Sequence, residues 1–249
     1  MYIRPIHAET HTPTLQAFIR DHPLGILITA LPDSGIQLTH IPWVLQETSE
    51  TELGVLRGHM ARSNPQAKTL STAAGASGGV VESEATVLFN GPPGHYVTAS
   101  FYTATKPATG KVVPTWNYSA VRGYGRVRVF YDHADARTGD FLQAQVEALT
   151  GHCEGHLMGY EDGKQWRVGD APERYIDVMK KNIVGVEVVL DRLEGKVKMS
   201  QEMGLEDRMG VVEGFRALGT DLGKEVADLV EVKSLERERA SEKGKVDKE

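Results

Sequence analysis

Apolar positions along this chain fall mainly in short runs of strand length, separated by turn residues. Leu24–Leu31 (LGILITAL) is an almost unbroken apolar run bounded by turn chemistry, the pattern of a buried strand. Pro32-Asp33-Ser34-Gly35 predicts a turn, and Ile36–Leu45 (IQLTHIPWVL) reads as the hairpin partner. Pro42 inside that run implies an edge or a bulge, because proline cannot donate to a ladder. Leu53–Met60, Ala85–Asn90 and His95–Tyr102 predict further extended stretches, the last after a sharp break at Gly91-Pro92-Pro93-Gly94. Val112–Tyr131 reads as one long or bent strand with Gly123 and Gly125 as bulge points. Ile183–Leu190 and Val197–Ser200 supply the last strands.

Helical spacing is confined to a few segments. Thr12-Pro13 opens a short helix with Leu15, Phe18 and Ile19 on its apolar face, and His22-Pro23 ends it. Phe141, Leu142, Val146 and Leu149 mark a second helix. Asp170-Ala171-Pro172-Glu173 has a capping-box pattern and predicts a third, burying Tyr175, Ile176 and Met179. The chain turns helical again beyond Gly210, and Ser234–Glu249 is a mixed-charge tail expected to be disordered or a frayed solvated helix. Residues 71–84, rich in Ala, Gly and Ser, predict a flexible surface insertion. Hairpin-spaced strands with few helices predict a mainly β fold, an antiparallel barrel with peripheral helices. The expected organisation is one domain over residues 1–216 and a helix with a charged tail over 217–249.

Composition narrows the function classes. The net charge of −6 disfavours a broad basic surface for nucleic acid, so direct DNA binding would need a local patch such as Arg122, Arg126 and Arg128. No apolar run is long enough to cross a bilayer, and the start lacks an apolar signal-peptide core. The single cysteine, Cys153, fits a reducing compartment, and the expected location is cytoplasmic.

Candidate chemistry gathers in three places. Gly110–Tyr118 (GKVVPTWNY) crowds a cation, a hydroxyl, an indole, a carboxamide and a phenol together, a mix suited to a pocket wall around a planar polyanion. In it Thr115, Trp116 and Asn117 read either as that wall or as an ordinary strand with outward aromatics. Arg57, His59, Arg62, Ser63 and Asn64 stand where a strand gives way to a helix, a junction suited to an anion or to a solvated turn. Thr39, His40 and Ile41 lie on the preceding edge strand, whose open backbone groups could meet a flat heterocycle. His152 and His156 are four apart near Cys153, but no third ligand follows and no metal site is expected. No nucleophile elbow, Walker loop or dinucleotide fingerprint is present.

Several segments, in order, resemble the PaiB-type family, the FMN-binding negative transcriptional regulators of the FMN-binding split-barrel superfamily. They are FIRDHP (18–23), THIP (39–42), LRGHMARSNPQ (56–66), GPPGHYVTASFY (91–102), Gly110–Tyr118, DAPERYI (170–176), NIVGVE (182–187), LEGKVKMSQ (193–201) and DRMGVVEG (207–214). The resemblance implies a six-stranded Greek-key barrel and a homodimer with two FMN sites at its interface. It places the phosphate at Arg57, His59, Arg62, Ser63 and Asn64 and the isoalloxazine edge along Thr39–Ile41. The partner subunit would close the site with Thr115–Asn117, and Ser200 and Gln201 would approach the ribityl chain or ring.

The sequence departs from the family at Val197, where Trp is usual, and at Glu202, often Asn. It departs again at Gly94-His95-Tyr96 and Ala99-Ser100-Phe101, near the expected pocket mouth. The leading functional expectation is flavin-dependent oxidoreductase chemistry on a small molecule whose identity the sequence does not give, with no side chain compelled to act as acid or base. His40, His59 and Tyr118 are candidates to modulate the ring. The alternatives are a flavin-sensing transcriptional regulator and a haem-binding or haem-degrading split barrel.

Overall fold

The structure is a computed structural model that describes residues 1–32, 34–75, 78–91 and 94–246, with side chains described as far as residue 241. In chain order the first elements are β1 (Ala8–Glu9), α1 (Thr12–Asp21), β2 (Leu24–Leu31), β3 (Gly35–Gln46), β4 (Val55–Ala61), α2 (Pro65–Ala74) and β5 (Gly79–Asn90). Then come β6 (His95–Val97), α3 (Thr105–Thr109), β7 (Thr115–Phe130), α4 (Ala136–His152), α5 (Glu173–Lys180), β8 (Ile183–Lys198), α6 (Leu205–Ala217) and α7 (Asp221–Val246). The chain forms two compact units. One comprises Thr10–Asn90 and Val121–Glu194; the other comprises Met1–Glu9, Gly91–Ala120 and Gly195–Glu249.

The first unit is the barrel. Its strands follow the order β8-β4-β3-β2-β5-β7, and pairing of β7 with β8 closes the ring. The β2–β3 hairpin runs antiparallel from Leu24 opposite Pro42 to Leu31 opposite Gly35. β4 joins β3 over Trp43–Gln46 and β8 over all seven of its residues, Val55–Ala61. Alternating residues fill the interior: Leu27, Ile41, Trp43, Leu56, Met60, Val87, Phe89, Val127, Val129, Val184, Val186 and Val188 are all buried in one cluster. Each such side chain contributes about 1.5–3 kcal/mol on leaving water. Closure depends on Gly125, because a Cβ there would lie 1.9 Å from Val189 O.

The second unit pairs Ala8 with Lys196 and Glu9 with Gly195, and β6 with the start of β7. Its core is Val97, Tyr102, Met199, Val211, Val212, Phe215, Val226, Ala227 and Val230, mostly from α6 and α7. No helix among the described residues is long and apolar enough to cross a membrane.

The six-stranded antiparallel split barrel expected from the sequence is present, accompanied by the short strands β1 and β6. Several local expectations change. The expected insertion at 71–84 holds the last turn of α2 and the first half of β5, with residues 76 and 77 outside the described residues. Asp33 in the first turn and Pro92-Pro93 in the second break also lie outside them. His95–Tyr102 is not one extended stretch: β6 stops at Val97, where Thr98 caps a 3-10 turn over Ala99–Phe101. The two last strands are one, β8, which continues from Ile183 to Lys198. Asp170 does not cap α5; its carboxylate accepts from Arg167 N–H and closes a separate 3-10 turn. Tyr175 and Met179 of α5 are exposed rather than buried. The charged tail continues α7 to Val246.

Candidate functional site

β3 pairs with β2 over Gly35–Pro42 and with β4 over Trp43–Gln46, so residues 35–42 keep one backbone edge without a strand partner among the described residues. β4 cannot cover that edge, because at Ala61 the chain leaves the sheet for α2. An open groove of about 540 Å³ results, lined by Gln37, Leu38, Thr39, His40, Asn64, Pro65 and Gln66. Asn64 fixes its geometry. Its Oδ1 caps α2 by accepting from Gln66 N–H at 2.8 Å, and its amide nitrogen donates to Thr39 Oγ1 at 3.1 Å. The structure thus brings together Thr39, His40 and Asn64. His40 presents an exposed imidazole, while the Ile41 side chain belongs to the core.

The cations expected beside Asn64 are turned to other work. Strand alternation sends Leu56 and Met60 inward and Arg57 and His59 to the opposite face. There Arg57 Nε pairs with the buried Glu187 carboxylate at 2.6 Å, and its guanidinium lies 5.5 Å from the Phe141 ring of α4. Arg128 reaches the other Glu187 oxygen at 3.0 Å. Burial holds the His59 imidazole below its usual range, and its Nδ1 is buried without a partner among the described residues. Arg62 donates to the carbonyls of Tyr131 and, at 3.2 Å, Lys181. Ser63 is exposed. Arg57, His59, Arg62 and Ser63 do not line the groove.

In the second unit the β6–β7 ladder sets Val97 opposite Thr115, Tyr96 opposite Trp116 and His95 opposite Asn117. Trp116 is 57% exposed, with Tyr96 edge-on at 6.2 Å between ring centroids. Asn117 is fully buried and exchanges hydrogen bonds with Ser200, its amide nitrogen donating to Oγ at 3.1 Å. Ser200 has φ of +62°, a left-handed conformation uncommon outside glycine, and this exchange helps hold it. Gln201 is spent on the same turn, accepting from Met199 N–H at 2.6 Å and donating to Val197 O at 2.8 Å. Lys198 Nζ bonds Thr115 Oγ1 and, at 2.9 Å, Trp116 O. Asn117, Ser200 and Gln201 therefore order backbone, and Trp116 is the aromatic surface they support.

The His152 and His156 rings stack 5.0 Å apart, but His152 bonds Arg20 O and His156 pairs with Asp21. Among the described residues no group of three or more His, Cys, Asp or Glu side chains could hold a metal ion.

The family described as "Putative FMN-binding domain" matches residues 1–192. The chain belongs to the PaiB-type family of FMN-binding split-barrel proteins. It is similar to uncharacterized proteins of Aspergillus fumigatus, 51% identical over 92% of this chain and 96% of that one, and of Emericella nidulans, 51% identical over 98% and 100%. It is also similar to the Bacillus subtilis "Protease synthase and sporulation protein PAI 2", 25% identical over 94% and 98%.

Membership of the PaiB-type family assigns FMN as the cofactor. The residues present fit it. Gln37 Oε1 and Gln66 Oε1, both in groove-lining residues, are buried without partners among the described residues. FMN carries hydrogen-bond donors in its ring imide and ribityl hydroxyls. Sequence reasoning missed both glutamines as site residues. Gln66 closes the LRGHMARSNPQ motif, so its place beside Asn64 was available, but its reach to β2 and β3 was not.

Proposed function

We propose that the chain is a homodimeric FMN-dependent oxidoreductase acting on a small molecule. Bound FMN supplies electron transfer at its isoalloxazine ring, and the protein supplies binding, orientation and exclusion of water. In this reading the open edge of β3 and Asn64 seat the flavin, His40 offers an imidazole at the groove, and Trp116, supplied by the partner subunit, covers an aromatic face. Ser200 and Gln201 act by holding the turn beneath Asn117.

The observation that carries the reading is an apolar sheet face continuous with the groove. Leu24, Ile36 and Leu38 are 59%, 73% and 59% exposed. The β2–β3 register sets Leu38 opposite Ile28 and His40 opposite Ile26, so these side chains share one face. Leu38 and His40 also line the groove. A second copy seated on this face would bury the apolar side chains and close the groove in one step, which supports both the dimer and the shared site.

Subunit complementation tests it. Asn64→Ala and Trp116→Ala should each bind FMN weakly. After subunit exchange in an equimolar mixture, about a quarter of the sites should recover, because each mixed C2 dimer regains one intact site. No recovery, with exchange verified, would rule out a site shared between subunits.

A further inference from the structure

Lys198 is the last residue of β8, and its side chain is 14% exposed. Its ammonium donates to Thr115 Oγ1 and, at 2.9 Å, to the carbonyl oxygen of Trp116 at the start of β7. A charge largely withdrawn from water needs a counter-ion close by. Glu202 provides it: Oε1 lies 3.6 Å from Lys198 Nζ. The other oxygen of Glu202 accepts from His7 Nε2 at 2.9 Å. His7 is 3% exposed and stands on the turn that leads into β1.

His7, Glu202, Lys198 and the Trp116 backbone therefore form one continuous run of polar contacts inside the second unit. Trp116 stands at its far end, exposed, with Tyr96 meeting its ring edge-on. A side chain exposed to that degree is aimed chiefly by the strand it stands on, and Lys198 fixes that strand at Trp116 itself. Glu202 is also a position at which the sequence departs from the family. Asn, often found there, is shorter by one methylene and sets no charge against a lysine.

We propose that Lys198 is a positioning residue for Trp116, and that Glu202 and His7 set it by fixing the ammonium. The N-terminal segment then governs, through His7, the aromatic surface that Trp116 offers to the flavin. That last consequence rests on the reading of Trp116 as a flavin-facing ring; the relay itself does not.

The test has two arms, and the first needs no flavin. Labelled with 5-fluorotryptophan, the full chain should give three fluorine resonances, one for each tryptophan, and Trp116→Ala identifies that of Trp116. Lys198→Met, Glu202→Gln and His7→Leu should each shift or split this resonance by more than its width and leave those of Trp43 and Trp166 in place. His7→Gln keeps a donor toward Glu202 and should restore the wild-type position. Glu202→Gln nearly keeps the side-chain volume, so it remains informative if Lys198→Met does not fold. A Trp116 resonance unmoved in the folded variants would overturn the proposal, as would equal movement of all three. Movement in Lys198→Met alone would overturn the part assigned to Glu202 and His7. In the second arm Lys198→Met should weaken FMN binding about tenfold, the worth of one charge-assisted hydrogen bond. Added to Trp116→Ala it should cost less than about twofold more, because a positioning residue then has nothing left to position. An equal loss in both backgrounds would mean that Lys198 acts on the flavin by another route and would overturn the proposal. FMN binding undiminished by Trp116→Ala would sink the reading of Trp116, while the fluorine spectra would still decide the relay.

Discussion

Asp207 is a buried carboxylate whose hydrogen bonds are all local to one turn. It accepts from Ala104 N–H at 2.9 Å, from Thr105 N–H at 3.1 Å and from the Thr105 hydroxyl, and so caps α3. Burial pushes its carboxyl up, but these bonds outweigh it and hold the group below the usual range. Glu202 behaves alike: burial raises it, while the His7 hydrogen bond, a backbone N–H and the Lys198 charge together bring it lower. A carboxyl depressed on folding stabilises the protein above its unfolded pKa, and that stability is lost as pH falls through the folded value. Stability should therefore decline below about pH 4, the ordinary carboxyl range. Asp207→Asn should cost about 1–3 kcal/mol at pH 7 and flatten that decline. Urea unfolding at pH 7 and at pH 3 measures both, and an unchanged midpoint at pH 7 would refute the capping role. Asp207 lies in a segment already matched to the family, yet its partners are about a hundred residues away, so no sequence pattern discloses its task. Gly125 teaches the same lesson. A glycine in a strand suggested a bulge, whereas its reason is the approach of Val189 from β8.

At the scale of elements, what was legible was local. The β2–β3 hairpin follows from apolar runs flanking a turn, and the start of α1 from Thr12-Pro13, although the side chain contact there runs between His11 and Thr14 rather than through Thr12. The tail was less legible, because its charges read as solvated while Glu238 has its partner on α6 and Arg237 has its partner in the turn before α6. Arg208 is buried and bonds Ser234 Oγ at 2.9 Å and the Glu238 carboxylate, and Arg237 donates to Met203 O at 2.7 Å. Those contacts hold α7 through residues for which composition left disorder and a frayed helix both open. α6 meets Phe101 at Gly214, where a Cβ would come within 2.3 Å of the ring. Arg208→Ala removes a buried guanidinium that bonds Ser234 and the half-exposed Glu238 carboxylate, and should destabilise by about 1–3 kcal/mol. Amide exchange over residues 230–241 should quicken in that variant more than exchange in the barrel strands; equal change in both would mean that Arg208 does not anchor α7.

For the whole molecule, the barrel was readable because strand period and turn chemistry survive in every segment, and because nine motifs stand in the family's order. The candidate groove was readable in part. THIP and SNPQ gave Thr39, His40 and Asn64, which do meet at one groove. The arginines between them suggested an anion cradle, but Glu187, 130 residues from Arg57, engages it on another face. Charge in a sequence marks where a cation stands and not what neutralises it. Gln37 and Gln66 were passed over for the opposite reason, since an amide gives no signal until its partners can be counted. The central claim is that this barrel carries FMN, and direct titration of the flavin-stripped protein with FMN tests it most simply. The account predicts saturable binding of one FMN per chain at micromolar concentration or below, with the flavin band bleached by dithionite; a folded, colourless protein that takes up no FMN under those conditions would contradict it.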